Sequence, residues 1–168
     1  MKMLRTTIAL LLICASGCVT EGPPERRPVR PMQEQPEGVQ VDRVVPAIDK
    51  LADDTDRNGY YDTFRIAVFL FGSGYTQSMQ AHGSFECRLI DQPSGKEIAK
   101  WTLGEAAMKD AWGMSGVMPG YNFLLNMNEV GSDRVEYREA LFSCVFRPLS
   151  GPPIESRSRL VVMIGPLR

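Results

Sequence analysis

The sequence predicts an all-β fold, an antiparallel β-sandwich with one short helix, over residues 47–168. Three observations lead to this prediction. Short segments alternate apolar and polar residues with the two-residue period of a strand, and glycine, proline or asparagine separates neighbouring segments. A helical spacing of apolar residues occurs only within residues 104–112. Several short strands divided by frequent turns are typical of two packed antiparallel sheets.

The predicted elements follow in chain order. Residues 63–71 alternate cleanly and form the first predicted strand, and residues 84–90 and 96–103 form a predicted hairpin around a turn at residues 91–95. The short helix is predicted at residues 104–112. Three further strands are predicted at residues 121–127, 140–148 and 159–164.

The first residues of the chain have the pattern of a bacterial export signal. Lys2 and Arg5 give a basic start, and the apolar run at residues 8–15 is shorter than the roughly 20 residues that span a bilayer. Small residues then precede Cys18. This arrangement resembles the lipobox of bacterial lipoproteins, with residues 1–17 as the signal peptide; the alternative is an ordinary secretory signal followed by an incidental cysteine.

The lipoprotein resemblance implies a location and a membrane anchor. Cys18 would carry a diacylglyceryl group on sulfur and an acyl chain, such as palmitate, on its amine. Two or three acyl chains together hold a protein stably on a membrane. Val19 follows the cysteine where a signal for inner-membrane retention has Asp, so an outer-membrane location is favoured in a bacterium with two membranes.

Residues 18–46 are predicted to be a tether between this anchor and the sandwich. The segment holds six of the twelve prolines of the chain and interspersed charges, so it buries too little apolar surface to fold alone. Removal of residues 1–17 changes the net charge from 19 − 20 = −1 to 17 − 20 = −3. A mildly acidic chain without a basic stripe gives no support for nucleic-acid binding.

The strongest chemical pattern lies at residues 54–62, here named the acidic loop. Asp54, Asp56 and Asn58 occupy alternate positions, the carbonyl of Tyr60 and the carboxylate of Asp62 follow, and Gly59 permits a tight bend. Hard oxygen ligands in this order suit Ca²⁺. The pattern resembles the calcium loops of EF-hands, dockerins and, most closely, integrin-type propeller repeats. The alternative is an acidic turn whose side chains bond their own backbone.

The acidic loop differs from an EF-hand at its twelfth position, where Arg65 replaces the bidentate glutamate. We therefore expect a structural calcium ion of weak affinity, with a Kd of roughly 10⁻⁴ to 10⁻³ M as in extracellular modules. Asp53 is a candidate substitute ligand.

Cys87 and Cys144 both fall on predicted core faces, and in an oxidising compartment they are candidates for a disulfide. Their spacing, with Trp101 between them, resembles the cysteine and tryptophan pattern of immunoglobulin domains, so the predicted sandwich is immunoglobulin-like. The alternative is two buried free thiols that behave as small apolar side chains.

Other candidates are weaker. Trp112 and Tyr121 flank a segment rich in glycine and methionine that is predicted either to bind a sugar or peptide or to cap one end of the sandwich. His82 is the single histidine and is predicted to lie in a surface loop. Glu86 and Glu97 are predicted on solvent-facing sides of their strands.

Three functions are compatible with these features. The first is a non-enzymatic, lipid-anchored module of the cell envelope that binds an envelope protein or cell-wall glycan, or is structural. The second is a calcium-dependent carbohydrate- or lipid-binding module that uses the acidic loop. The third and least supported is a hydrolase that uses carboxylates, because no nucleophile, base and oxyanion group share a convincing spacing.

Overall fold

Two antiparallel sheets form the fold seen in a computed structural model, which describes residues 34–49 and 52–167. In chain order the elements are β1 (Val41–Ile48), β2 (Tyr60–Tyr61), β3 (Thr63–Gly72), β4 (Gly83–Asp91), β5 (Glu97–Leu103), α1 (Glu105–Ala111), β6 (Trp112–Ser115), β7 (Met118–Asn126), β8 (Arg138–Pro148), β9 (Ile154–Glu155) and β10 (Leu160–Pro166). A 3₁₀ turn, Met127–Glu129, follows β7. The predicted all-β sandwich with one short helix is confirmed.

The two sheets have different strand orders. The first is four-stranded, in the order β1-β3-β7-β6, and the second runs β2-β10-β8-β4-β5, with β9 paired to β8. Every pairing between named strands is antiparallel. Since β2 and β3 follow each other in the chain yet belong to different sheets, residues 60–63 cross from one sheet to the other at the end of the acidic loop.

The core lies between the apolar faces of the two sheets. Alternation along β3 buries Phe64, Ile66, Val68 and Leu70, as the sequence predicts. Aromatic side chains link the sheets, with the Phe85 ring of β4 lying 5.1 Å from the Tyr121 ring and 5.7 Å from the Phe123 ring of β7, centroid to centroid. Large aromatic pairs of this kind add to the stability that area burial supplies.

The folded part begins before the predicted boundary at residue 47. Val41 and Val44 of β1 are buried, and β1 pairs with β3 along its length, so the last six residues of the predicted tether are a strand of the first sheet. Residues 34–40 of the predicted tether are also described, and Gln35 N donates to the Gln80 carbonyl at 3.0 Å, so this part of the tether contacts the domain. The rest of the predicted tether, residues 18–33, and the signal peptide lie outside the described residues.

The helix α1 is short and connects β5 of the second sheet to β6 of the first. It buries one residue, Met108, and its first residue follows Gly104, which makes no side-chain cap. No helix within residues 34–49 and 52–167 has the length and apolar character needed to cross a membrane.

Candidate metal centre

The acidic loop is a tightly bent connection that leads into β2. Arg57 has a φ of 60° and Gly59 a φ of 87°, both in the left-handed region that favours glycine. The chain needs these two reversals to bring residues 54 and 62 together. An antiparallel bridge between Asp53 and Thr63 closes the base of the acidic loop.

The bend collects three carboxylates. Asp54, Asp56 and Asp62 each offer one oxygen, and these oxygens all lie within 4.8 Å of one another. Asp62 is fully buried, Asp54 is half-buried and Asp56 is exposed. Three such oxygens could hold a metal ion, and they belong to the three carboxylates that the sequence predicts as ligands.

Backbone N–H groups hold two of these carboxylates in place. Asp54 accepts hydrogen bonds from Asn58 N at 3.1 Å and Gly59 N at 2.9 Å. Asp62 accepts from Thr55 N at 3.0 Å and Asp56 N at 3.2 Å, and also from Thr55 Oγ1 at 2.8 Å. These bonds fix the orientation of the carboxylates. The same hydrogen bonds also form in an acidic turn that binds no metal ion.

Hydrogen bonding also controls the ionisation of Asp62. Burial raises the pKa of this carboxyl group, but hydrogen bonds from Thr63, Thr55 and Asp56 together outweigh burial and hold the pKa below its usual value. Asp62 is therefore an anion at neutral pH, as a metal ligand must be.

The side chain of Asn58 connects the acidic loop to a distant part of the chain. Its Nδ2 donates to Asp56 Oδ2 at 3.0 Å and to Asp133 Oδ2 at 2.7 Å. Asp133 is only 2% exposed and its N–H donates to Asn128 Oδ1 at 3.3 Å. The sequence pattern misses Asp133 and Asn128 because they lie about 70 residues along the chain; the only signal was an asparagine- and acid-rich stretch after β7.

Four carboxylates thus share one region, and none has a basic partner. Within residues 34–49 and 52–167, no ion pair joins Asp54, Asp56, Asp62 or Asp133 to a lysine, arginine or histidine. Neighbouring carboxylates repel one another, and the buried ones cannot rely on water to offset that repulsion. A divalent cation would supply the missing positive charge.

Asp53 and Tyr60 are the two remaining candidate ligands of the acidic loop. Asp53 is not in the cluster, since its carboxylate is held by Arg65 at 2.8 Å on the outside of the first sheet. Tyr60 lies where the acidic loop enters β2, and its N–H donates to Asn58 Oδ1 at 2.9 Å. Ligation by the Tyr60 carbonyl stays a prediction.

Cys87 and Cys144 lie side by side, but in one sheet. They are register partners on β4 and β8, their Sγ atoms are 3.4 Å apart, and both are free and fully buried. The inter-sheet cysteine pair of immunoglobulin domains has a different placement. The spacing that suggested the immunoglobulin resemblance therefore arises from a pair within a sheet.

The predicted ligand loop is not a loop. Trp112 and Tyr121 are register partners in the β6–β7 hairpin, with ring centroids 4.8 Å apart. Tyr121 is fully buried, and its hydroxyl donates to the Ala81 carbonyl at 2.9 Å and accepts from Ala81 N at 2.8 Å. Tyr121 is thus a core residue rather than an exposed platform for a ligand.

Glu86 is also placed differently from the prediction. It is buried, and its carboxylate pairs with Arg88, Lys100 and Arg147 on the outer face of the second sheet. The long stems of these basic side chains cover the carboxylate, which explains how a residue on the predicted solvent face is removed from water.

A cleft of about 540 Å³ lies between α1 and the segments at residues 34–35 and 80–82, and no residue of the acidic loop lines it. His82 is exposed at its rim, as predicted for a surface histidine, and its Nδ1 is 2.6 Å from Glu105 Oε1. Asp133 does not line this cleft either.

Searches against protein-family models, curated proteins and solved structures find no match to this chain. Cys18, the predicted lipidation site, lies outside the described residues.

Proposed function

We propose that this chain is a lipid-anchored protein of the bacterial cell envelope, in which the sandwich is a non-enzymatic binding or structural module stabilised by calcium. The observation that carries the calcium assignment is the cluster of three carboxylates, with Asp133 joined to it through Asn58, none of which has a basic partner among the described residues. The lipobox-like sequence that ends at Cys18 supports the envelope location.

A structural role for the ion fits the position of the acidic loop. The loop precedes the crossing from the second sheet to the first, and Leu167 N donates to the Gly59 carbonyl at 2.8 Å, so the loop also contacts the end of β10. An ion bound there would hold together three parts of the chain: the acidic loop, the segment after β7 and the last strand. It would stabilise the folded state by mass action.

Calcium binding is tested by thermal unfolding of the full chain carrying Cys18→Ser, which removes the lipid attachment site. With ~10 mM Ca²⁺ and a Kd of ~10⁻⁴ to 10⁻³ M, we expect a stabilisation of about 1.4 to 2.7 kcal/mol relative to chelator. Asp56→Ala should remove this increase, because it deletes one ligand from the exposed side of the site, where the fold tolerates change.

Asp110→Ala is the matched control for that experiment. Asp110 is an exposed aspartate on α1, far along the chain from the acidic loop, and its replacement should leave the calcium-dependent increase in melting temperature intact. Equal melting temperatures of the parent chain with calcium and with chelator would show that the acidic loop is a hydrogen-bonded turn and not a metal site.

The anchor is tested by fractionation of cells that express the full chain. The parent protein should pellet with membranes and incorporate labelled fatty acid, whereas Cys18→Ser should lose both properties. Cys14→Ser is the matched control, because Cys14 lies within the apolar run and should not affect the anchor. Cleavage at another residue without acylation would establish an ordinary secretory signal instead.

A second candidate function uses the same ion to hold a ligand. Asp56 and Asn58 are exposed, so one side of the cluster faces solvent and would leave coordination positions free for a sugar or lipid headgroup. In that case, chelator would abolish binding to glycan or lipid at a temperature where the sandwich remains folded.

A further inference from the structure

The register of β4 and β8 places two thiols opposite each other at the centre of the second sheet. Cys87 and Cys144 are direct partners, both face the core, and their Sγ atoms are 3.4 Å apart. A disulfide requires the sulfur atoms to approach to about 2.05 Å, with Cα atoms about 4.4–6.8 Å apart. The two thiols are therefore already neighbours and need a small rearrangement to bond.

The hydrogen bonds of Cys144 identify the type of cross-strand pair. Its N–H donates to Ser156 Oγ at 3.2 Å and its carbonyl accepts from Ser156 N at 2.8 Å. Both backbone groups therefore point away from β4 and toward Ser156. Cys87 and Cys144 consequently form a non-hydrogen-bonded pair, the kind in which Cα atoms are about 4.5 Å apart and side chains approach most closely.

We propose that Cys87 and Cys144 form a disulfide under oxidising conditions, a bond between adjacent strands within one sheet. Its occurrence in the cell rests on the export proposed above, because disulfides persist in oxidising compartments. The bond would fix the register of β4 against β8 at the centre of the sheet and close the 57-residue separation between the two cysteines.

The chemistry is thiol–disulfide exchange with an acceptor disulfide. The Cys87 thiolate attacks one sulfur of the acceptor, and the second acceptor sulfur leaves as a thiolate. The Cys144 thiolate then attacks the Cys87 sulfur and releases the first acceptor sulfur. The two cysteines lose two electrons and two protons in all, and the acceptor disulfide gains them as two thiols.

Burial determines when this exchange takes place. A hydrogen bond to Cys144 and the apolar surroundings both raise the pKa of the Cys87 thiol, and the thiolate is the reactive form. The folded core also excludes an acceptor from both sulfurs, which are fully buried. The bond should thus form during folding, and once formed it should resist added reductant unless the sandwich unfolds.

The test uses the full chain carrying Cys14→Ser and Cys18→Ser, so that Cys87 and Cys144 are its only thiols. The protein is refolded in mixtures of reduced and oxidised glutathione, quenched with acid, denatured and alkylated. We expect a product lighter by two hydrogen atoms that takes up no alkyl group, and a melting temperature about 5–15 °C above that of protein refolded with reductant.

The matched control adds Cys87→Ala and Cys144→Ala to the same chain. Its melting temperature should not depend on glutathione, and it should resemble that of the reduced parent, because a buried free cysteine behaves as a small apolar side chain. If the double variant does not fold, the parent with and without reductant gives the same comparison.

Two alkyl groups on the refolded parent across all glutathione ratios would overturn the proposal. Alkylation of protein isolated from its own cells distinguishes whether the bond can form from whether the protein is exported. A disulfide that forms with glutathione but is absent in cells would support the bond and count against export to an oxidising compartment.

Discussion

The carboxylate of Asp133 is the clearest argument, at the scale of one residue, for the proposed cation beside the acidic loop. It is 2% exposed and accepts a hydrogen bond from Asn58 Nδ2 at 2.7 Å. A single neutral donor compensates poorly for the lost hydration of a buried anion. Asp62, which is also buried, adds a second negative charge within the acidic loop.

Asp133→Asn should therefore separate the effect of charge from that of shape. The amide oxygen can still accept from Asn58, and one negative charge next to the acidic loop is removed. With chelator we expect a melting temperature equal to or above that of the parent, because carboxylate repulsion falls. With calcium we expect a smaller increase in melting temperature than in the parent, because a charged oxygen near the ion is lost.

Thermal unfolding with calcium and with chelator measures both effects, and Asp110→Asn is a matched control on an exposed surface. A lower melting temperature of Asp133→Asn with chelator would show that the negative charge of Asp133 stabilises the fold without a metal ion, which would contradict this role.

Individual residues also show where sequence reasoning succeeds and where it fails. Asp54, Asp56 and Asp62 are close in the chain, so their spacing alone predicts that they converge. Asp133 joins the same region only through tertiary folding, which no local pattern records. Alternation predicts a solvent face for Glu86, but three basic side chains from β4, β5 and β8 cover its carboxylate.

At the scale of an element, the end of β10 depends on a glycine. Gly165 has a φ of 101°, and a Cβ atom built there would lie 2.5 Å from the Cα atom of Tyr137. Gly165 is also the register partner of Tyr61 in β2, next to the acidic loop. The close backbone approach and the positive φ both require the absence of a side chain.

Gly165→Ala is expected to destabilise the protein by about 2–4 kcal/mol, since it adds backbone strain to a clash with main-chain atoms that cannot rotate away. Urea denaturation would measure the change. Gly131→Ala is the matched control, because a Cβ atom at Gly131 meets nothing within 4 Å and its φ is not positive. Similar midpoints for the two variants would contradict the role assigned to Gly165.

Elements with strong alternation were predicted well, and short or proline-containing ones were not. The predicted strand at residues 63–71 matches β3 within one residue. Strand β1 was missed because Pro46 lies in it and its composition resembles the preceding tether. Proline is tolerated there because β1 is an edge strand, where one N–H group needs no ladder partner. Strand β6 has only four residues and two apolar side chains.

At the scale of the whole molecule, the charge network around Glu86 predicts how the sandwich responds to acid. A hydrogen bond from Arg88 lowers the pKa of Glu86, burial opposes this, and Lys100 lowers it further, so that the pKa is about 2 against an ordinary value of 4.5. A carboxyl group with a depressed pKa stabilises the folded state fully above pH 4.5 and loses that contribution as the pH falls toward 2.

Glu86→Gln should accordingly be less stable than the parent at pH 7, by about 1–3 kcal/mol, because three cations lose their common anion. The difference should shrink below the ordinary pKa of 4.5 and be smallest near the lowest pH at which the parent folds. Urea denaturation over this pH range measures it. Glu97→Gln is the matched control, since Glu97 is an exposed partner of Arg88 at 3.6 Å. A pH-independent difference would mean that the charge of Glu86 is not responsible.

The contacts of the acidic loop also have a kinetic consequence. Asn58 meets Asp133 across a separation of 75 residues, and Gly59 meets Leu167 near the end of the chain. Contacts of such high sequence separation close slowly, because loop entropy opposes them until the strands between have paired. A cation bound at this junction would act mainly after the folding barrier. It would therefore lengthen the lifetime of the folded domain more than it would accelerate folding.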